Sequence, residues 1–538
     1  MTGPVAVSDL LAATPGWAER AGSAGLDATD VAQFLAEAER LAADLTPLGD
    51  RADREGCRLE AGRVRTPEGY PETYARLGAD GWIAPDIAPE LGGLGLPLAL
   101  HAAMTLPLEA AAAPFLMAAA ASRAGAHLLS QTAPDLAGTW APRLASGDWA
   151  ATICMSEPDA GSDAGRIRTR ATRDGEGWRI EGTKCWISFG DQDMTARIGH
   201  LLLARTGPME QGTRGLSLFL VPDRDEAGAR APITVGRIEE KLGLHGSPTC
   251  TLAFAGAPAA LIGEEGWGVP LLFHMIERMR LQVGVQGAGI ARRAATLARG
   301  YAEERRQGGD PAAPPVPIVR HPDVRRQLTA LDAGASVLTA LVLELGVLLE
   351  GSEEDRALAA FLLPLAKTFG GEGASAGADG AIQVLGGAGY TSEWPAERLL
   401  RDARILTIYE GTTGMQAQDL TLRRIRKDEG RTAALLDARA RAEIAGCGDE
   451  RAASAATEVL DRFAKLVRDS MKAEGERLLL SADGMLRAAW VAVESWLACR
   501  MIGLGEDAAT QARFLLHNAP ARMALAEAQA SLPPDTVA

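Results

Sequence analysis

Glu410 lies in Leu400-Arg-Asp-Ala-Arg-Ile-Leu-Thr-Ile-Tyr-Glu-Gly-Thr-Thr-Gly-Met-Gln416, between an apolar run ending in Tyr409 and a Gly-Thr-Thr-Gly turn. A carboxylate in such a place can be stripped of water, which raises its pKa and makes it a stronger base, as removal of a weakly acidic carbon-bound proton requires. A helix-capping or turn carboxylate would look the same in sequence. A second candidate is Cys154-Met-Ser-Glu-Pro-Asp-Ala-Gly-Ser-Asp163, a strand running into a small-residue loop whose hydroxyls (Ser156, Ser162) and N–H groups could meet polar ligand edges. An ordinary acidic turn is the alternative. In Lys184-Cys-Trp-Ile-Ser188, strand alternation puts Trp186 and Ser188 on one face, a flat ring beside a hydroxyl, although a core tryptophan would give the same pattern.

Other chemistries lack their residues. None of the seven His is paired at metal-ligand spacing, and His-Glu-x-x-His, paired C-x-x-C, Gly-x-Ser-x-Gly and the Walker loop are missing, so no metal site is expected. Gly284-Val-Gln-Gly-Ala-Gly289 and Gly386-Gly-Ala-Gly389 miss the dinucleotide fingerprint and follow helical texture.

The elements that must position these residues read as a helical segment with an N-terminal arm over 1–150, a β domain over 151–262, a helical bundle over 263–430 and an additional helical domain over 431–538. Helical periodicity covers 30–45, 98–129, 269–307 and 322–349; strands are expected near 168–172, 178–188, 199–204 and 215–221. A proline-rich insertion occupies Asp310-Pro-Ala-Ala-Pro-Pro-Val-Pro317. The fold class is thus α+β and multidomain. With 538 residues, 47% of them hydrophobic, the chain can bury a large core, and its net charge of −15 removes long-range attraction to phosphate backbones or anionic lipid. Six cysteines are too few to staple such a chain, no signal peptide is visible, and the longest apolar run, 110–121, is short of the roughly 20 residues of a spanning helix. A cytoplasmic protein with no membrane span is expected.

Five ordered motifs, Met155–Asp163, Gly182-Thr-Lys-Cys-Trp-Ile-Ser188, Lys241-Leu-Gly-Leu-His-Gly-Ser-Pro-Thr249, Gln383-Val-Leu-Gly-Gly-Ala-Gly-Tyr390 and Arg401–Thr412, together resemble the acyl-CoA dehydrogenase family, and its large subgroup containing 3-methylmercaptopropionyl-CoA dehydrogenases most of all. The resemblance implies a helical N-terminal domain, a β-barrel-like middle domain, a four-helix bundle and non-covalent FAD. By analogy Glu410 removes the α-proton of an acyl-CoA thioester while the β-hydrogen leaves as hydride to flavin N5, giving a trans-2-enoyl-CoA. Its backbone N–H polarises the thioester carbonyl, and an electron-transfer flavoprotein takes the electrons.

Matching positions imply that Met155, Ser156, Trp186, Ser188 and Thr412 contact FAD within one subunit, and that Arg305, Gln383 and Gly387 reach the FAD of a neighbouring subunit in a homodimer or homotetramer. Ser162, Arg280, Tyr409 and Gly411 match acyl-CoA positions; for Arg280 a solvated helix-face charge is the alternative. Where some relatives carry the base one residue before Arg280, this chain has Met279, which favours Glu410. Gly308, His321-Pro322 and Gly414 depart from the family pattern and imply different adenine-side contacts. Two other functions fit the same fold. One is an acyl-CoA oxidase. The other is a DNA-associated alkylation-response flavoprotein, disfavoured by 17 Lys+Arg against 17 Asp+Glu from Thr421 to Ala538, where Arg423-Arg-Ile-Arg-Lys427 is the one basic cluster.

Overall fold

Alanines about one turn apart let the helices approach closely. Ala294, Ala298 and Ala302 on helix Gly268–Glu304 and Ala374, Ala378 and Ala381 on helix Glu353–Leu385 are buried in one core with Leu328, Leu399 and Leu406. A computed structural model describes residues 3–537, and the chain divides into two compact units. The first comprises Met1–Glu39, Pro97–Ala110 and Arg280–Ala538; the second comprises Arg40–Leu96 and Ala111–Met279.

The first unit is helical. Helices Pro322–Leu348 and Glu353–Leu385 carry long buried faces, and a Ser352–Asp355 capping box starts the second. The crossing of Gly268–Glu304 with Glu353–Leu385 is tight enough to require glycine: a Cβ on Gly287 would stand 2.2 Å from the Gly370 carbonyl oxygen. Gly287→Ala therefore overpacks backbone against backbone and is expected to cost about 3 kcal/mol, read as a lower melting temperature. Gly300→Ala, on the same helix with open space around it, should leave stability unchanged or slightly raised. Helices Arg431–Ile444, Gly475–Ile502 and Glu506–Ala530 pack onto these helices, and Glu450–Ser470 packs onto those three. Phe369 stacks on Trp490 at 4.8 Å, and fully buried Glu344 accepts from Arg439 (2.7 Å) and Arg500 (2.8 Å). The 310–317 insertion leaves and returns through the Arg306–Pro317 bridge and lies exposed.

The second unit is built on a seven-stranded sheet. Arg170–Asp174, Gly177–Ser188, Thr249–Ile262, Leu216–Pro222 and Arg197–Arg205 pair in a closed ring; Trp149–Cys154 adds in parallel beside Arg197–Arg205, and Ile233–Ile238 pairs with Thr249–Ile262. Cys154, Ile180, Leu202, Phe219, Cys250 and Leu252 fill its interior. This is the barrel-like middle region, with a two-stranded hairpin, Arg58–Glu60 with Arg63–Arg65, that the sequence pattern did not show.

Helices Leu98–Thr132 and Pro322–Leu348 are long and apolar enough to cross a membrane, although no uninterrupted apolar run is. Scattered Thr, His and Glu break the run without breaking the helix. In each, 89% of the apolar window is buried inside the protein, as for core helices. Ala112, two residues before Pro114, leaves helical geometry and kinks the first of them.

Candidate functional site

In the first unit, helix Ala396–Ala403 tightens into a 3-10 turn, Arg404–Thr407, which delivers the chain to Glu410. Glu410 and Gly411 both take left-handed backbone angles (φ 55° and 90°). A non-glycine residue held there is strained, and such strain collects at functional sites. Buried Gln416 holds the turn, its amide donating to the carbonyls of Glu410 (2.9 Å) and Gly411 (3.3 Å), while Thr412 is the N-cap of helix Thr413–Gln418. Among the described residues the Glu410 carboxylate accepts no hydrogen bond and its backbone N–H donates none. The capping alternative is therefore excluded.

Burial pushes the Glu410 carboxyl above its ordinary value; Arg280 and then Lys367 pull against that without cancelling it. Arg280 is buried and donates to Asp419 at 2.6 Å, so it is not a solvated helix-face charge. Asp419 opens a π-helical stretch, Asp419–Arg426, with Arg423 and Arg424 at 3.7 Å. Lys367, 0% exposed on helix Glu353–Leu385, has no hydrogen-bond partner at Nζ, and burial pulls its pKa down to about 8. Beside Glu410, the Tyr409 hydroxyl donates to Gln286; Gln286 and Gln282 donate to the two oxygens of buried Glu109 at 2.8 and 2.7 Å. Burial, then Glu109 and Glu410, hold the Tyr409 hydroxyl protonated, a neutral neighbour to Glu410.

In the second unit, strand Trp149–Cys154 runs into the loop carrying Met155, Ser156 and Ser162. Lys184, on strand Gly177–Ser188, fixes that loop. Fully buried, it donates to the Met155 carbonyl at 2.9 Å and to Glu157 at 2.8 Å, and Glu157 in turn accepts the N–H groups of Arg168 (2.7 Å) and Thr169 (3.0 Å). The Cys185 N–H closes on the Ser156 carbonyl at 3.0 Å. Between Lys184 and Ile187 the strand carries a bulge, and Trp186 takes φ 63° there. Regular alternation thus fails at this point, yet Trp186 is 59% exposed and the core-tryptophan alternative is excluded. An exposed indole backed by a pinned loop fits a planar ring such as the isoalloxazine of FAD, with half-buried Ser188 two residues on.

Ser162, Arg305, Gln383, Gly387 and Thr412 are exposed, and Gly411 is half-buried. The structure thus brings Glu410, Tyr409, Gly411 and Arg280 together in one unit, and Met155, Ser156, Trp186 and Ser188 in the other. At Gly308 the backbone takes φ 70° and a Cβ would stand 2.9 Å from the His321 ring, so any side chain there would be strained. Lys367, Asp419, Gln286, Glu109, Glu157 and Lys184 were not singled out from the sequence. A lone cation in Phe361-Leu-Leu-Pro-Leu-Ala-Lys-Thr-Phe369 was the available signal for Lys367.

Comparison with known proteins decides the family. The model of the acyl-CoA dehydrogenase middle domain matches residues 152–257, and that of the acyl-CoA dehydrogenase C-terminal domain matches 264–425. A 3-methylmercaptopropionyl-CoA dehydrogenase of Ruegeria pomeroyi is 40% identical over 407 residues, 72% of this chain and 69% of its own. The chain belongs to the acyl-CoA dehydrogenase family. A second acyl-CoA dehydrogenase, the broad-specificity linear FadE5 of Mycobacterium tuberculosis, is 36% identical over 68% of this chain and 64% of its own. Among solved structures, Caenorhabditis elegans ACDH-11 in complex with C11-CoA superposes with a TM-score of 0.81 at 22% identity, covering 95% of this chain and 91% of its own. An acyl-CoA dehydrogenase of Bacillus anthracis complexed with FAD does so at 0.77 and 20%, covering 95% and 90%. Members of this acyl-CoA dehydrogenase family are oxidoreductases with FAD as cofactor.

Proposed function

We propose that this acyl-CoA dehydrogenase converts an acyl-CoA thioester to its trans-2-enoyl-CoA with Glu410 as the base. The turn at Glu410 carries the reading: one left-handed residue presents a carboxylate whose affinity for a proton is raised and an N–H that no group among the described residues uses. The carboxylate takes the α-proton, the Glu410 N–H donates to the thioester carbonyl as negative charge builds on its oxygen, and the C–H pair at the β-carbon departs as hydride, leaving the double bond. Bound FAD supplies the hydride acceptor; Met155, Ser156, Trp186, Ser188 and Thr412 would hold it, and Arg305, Gln383 and Gly387 would hold that of a second subunit. Ser162 and Arg280 would serve the acyl-CoA.

A short thioester of the 3-methylthiopropionyl-CoA type is the proposed substrate, supported by the 40% identical Ruegeria enzyme. An electron-transfer flavoprotein as acceptor, a homo-oligomer, the four-part division of the chain and a cytoplasmic setting belong to the same reading. The basic cluster does not favour DNA: Arg424 pairs with Asp419, and Arg426 donates to the carbonyls of Ser470 (2.6 Å) and Ala473 (2.7 Å).

Incubation of the FAD-loaded protein with a panel of acyl-CoA thioesters and an artificial electron acceptor, without oxygen, tests the reading. A product two hydrogens lighter than one class of substrate is expected. Turnover only when oxygen is the acceptor would make it an oxidase, and no product from any thioester would refute the assignment.

A further inference from the structure

Helix Glu353–Leu385 and the part of helix Gly268–Glu304 from Arg280 onward run side by side in the first unit. Gly284 lies against Ala366, Gly287 against Gly370 and Gly377 against Ala291, so Gly268–Glu304 and Glu353–Leu385 are parallel and nearly touch. Arg280 stands one turn before the first of these contacts on one helix, and Lys367 stands within the contact region on the other. Gly371, one turn after Lys367, meets Leu406 with its Cβ position 2.8 Å from the Leu406 carbonyl carbon, and Leu406 is four residues before Glu410. The helix face bearing Lys367 is therefore the face on which the Glu410 turn rests.

An ammonium buried among apolar helices is disfavoured unless an anion faces it. The nearby carboxylates are mostly engaged. Asp419 is held by Arg280, Glu109 by Gln282 and Gln286, and Glu372 by Arg487. The Glu410 carboxylate accepts no hydrogen bond among the described residues, and the charged groups that act on Lys367 are Glu410 and Arg280.

We propose that Lys367 is a positioning residue for the base: its ammonium, with Arg280, brackets the Glu410 carboxylate, keeping it ionised and fixing where it points. This rests on the reading of Glu410 as the base. Arg280 alone cannot do this fully, because its guanidinium is already tied to Asp419. Burial raises the proton affinity of Glu410, which gives a strong base but threatens to leave it protonated before substrate arrives; a second cation opposes that loss.

Lys367→Met keeps the apolar stem and removes the charge, while Lys367→Arg restores a cation. The readouts are the infrared carboxyl band of Glu410, identified by its disappearance in Glu410→Gln, followed against pH, and the pH profile of anaerobic flavin reduction by acyl-CoA. Arg280, Asp419, Tyr409 and Glu109 are the other titratable or charged groups around the base, and the variants leave them in place. With the cation gone, the Glu410 titration and the acid limb of the reduction profile should both move up by about one pH unit or more, and Lys367→Arg should bring them back. Unchanged titration in Lys367→Met overturns the proposal, as does a loss of rate without a change of profile, which is what a packing role gives. Should Lys367→Met fail to fold, Lys367→Gln carries the same test. If the titration moves with Lys367 while Glu410→Gln still reduces flavin, the pairing stands and the reading of Glu410 as the base falls.

Discussion

Glu410→Gln should lower the rate of anaerobic flavin reduction by acyl-CoA by roughly 10³- to 10⁴-fold, the upper part of the range for loss of a general base. The substitution keeps the size of the side chain and its tolerance of the left-handed backbone at φ 55°, so the turn held by Gln416 should persist. FAD content, melting temperature and acyl-CoA binding should therefore stay close to wild type, which separates a lost base from a lost fold. The wild-type rate should also rise with pH through the upward-shifted Glu410 value, because the carboxylate is the active form. The variant, with no carboxyl at this position, should lose that limb.

Lys184→Met should be the most damaging change in the second unit. It strands the buried Glu157 carboxylate and frees the Met155 carbonyl, and removing one partner of a buried pair costs about 3–5 kcal/mol. Because the same lysine pins the loop of Met155 and Ser156, FAD should be lost together with stability; melting temperature and flavin absorbance after gel filtration measure both. Burial pushes the Glu157 carboxyl up, but the Lys184 charge and the hydrogen bonds from Lys184, Thr169 and Arg168 outweigh it and hold it below its ordinary value. A carboxyl depressed in the folded state stabilises the protein above its unfolded-state pKa. That contribution is lost as pH falls through the folded value, so wild type should lose stability on acidification more steeply than Glu157→Gln.

The turn at Glu410 was legible as a carboxylate between an apolar run and a glycine turn, but the segment alone did not separate a base from a capping carboxylate. What the sequence could not give was the company it keeps. Lys367 reads as one polar position in a helix, and only packing reveals that its face is closed on all sides. Trp186 was legible as a ring near the end of a strand, but the bulge that turns it outward depends on pairing with Cys250 and Leu252 far along the chain. Strand Thr249–Ile262 was hidden for another reason. Its Ala-Phe-Ala-Gly-Ala-Pro-Ala-Ala stretch has low strand propensity, and pairing with three neighbours overrides that preference. Arg280 could be placed on a helix by periodicity, whereas its burial against Asp419 joins residues 139 positions apart.

The most direct measurement is rapid anaerobic mixing of the FAD-loaded enzyme with an acyl-CoA deuterated at the α-carbon, following flavin absorbance in wild type and in Glu410→Gln. Slower bleaching with the deuterated thioester in wild type, and almost none in the variant, is the predicted result. Equal rates with the two isotopes, or bleaching of Glu410→Gln as fast as wild type, would contradict proton removal by Glu410.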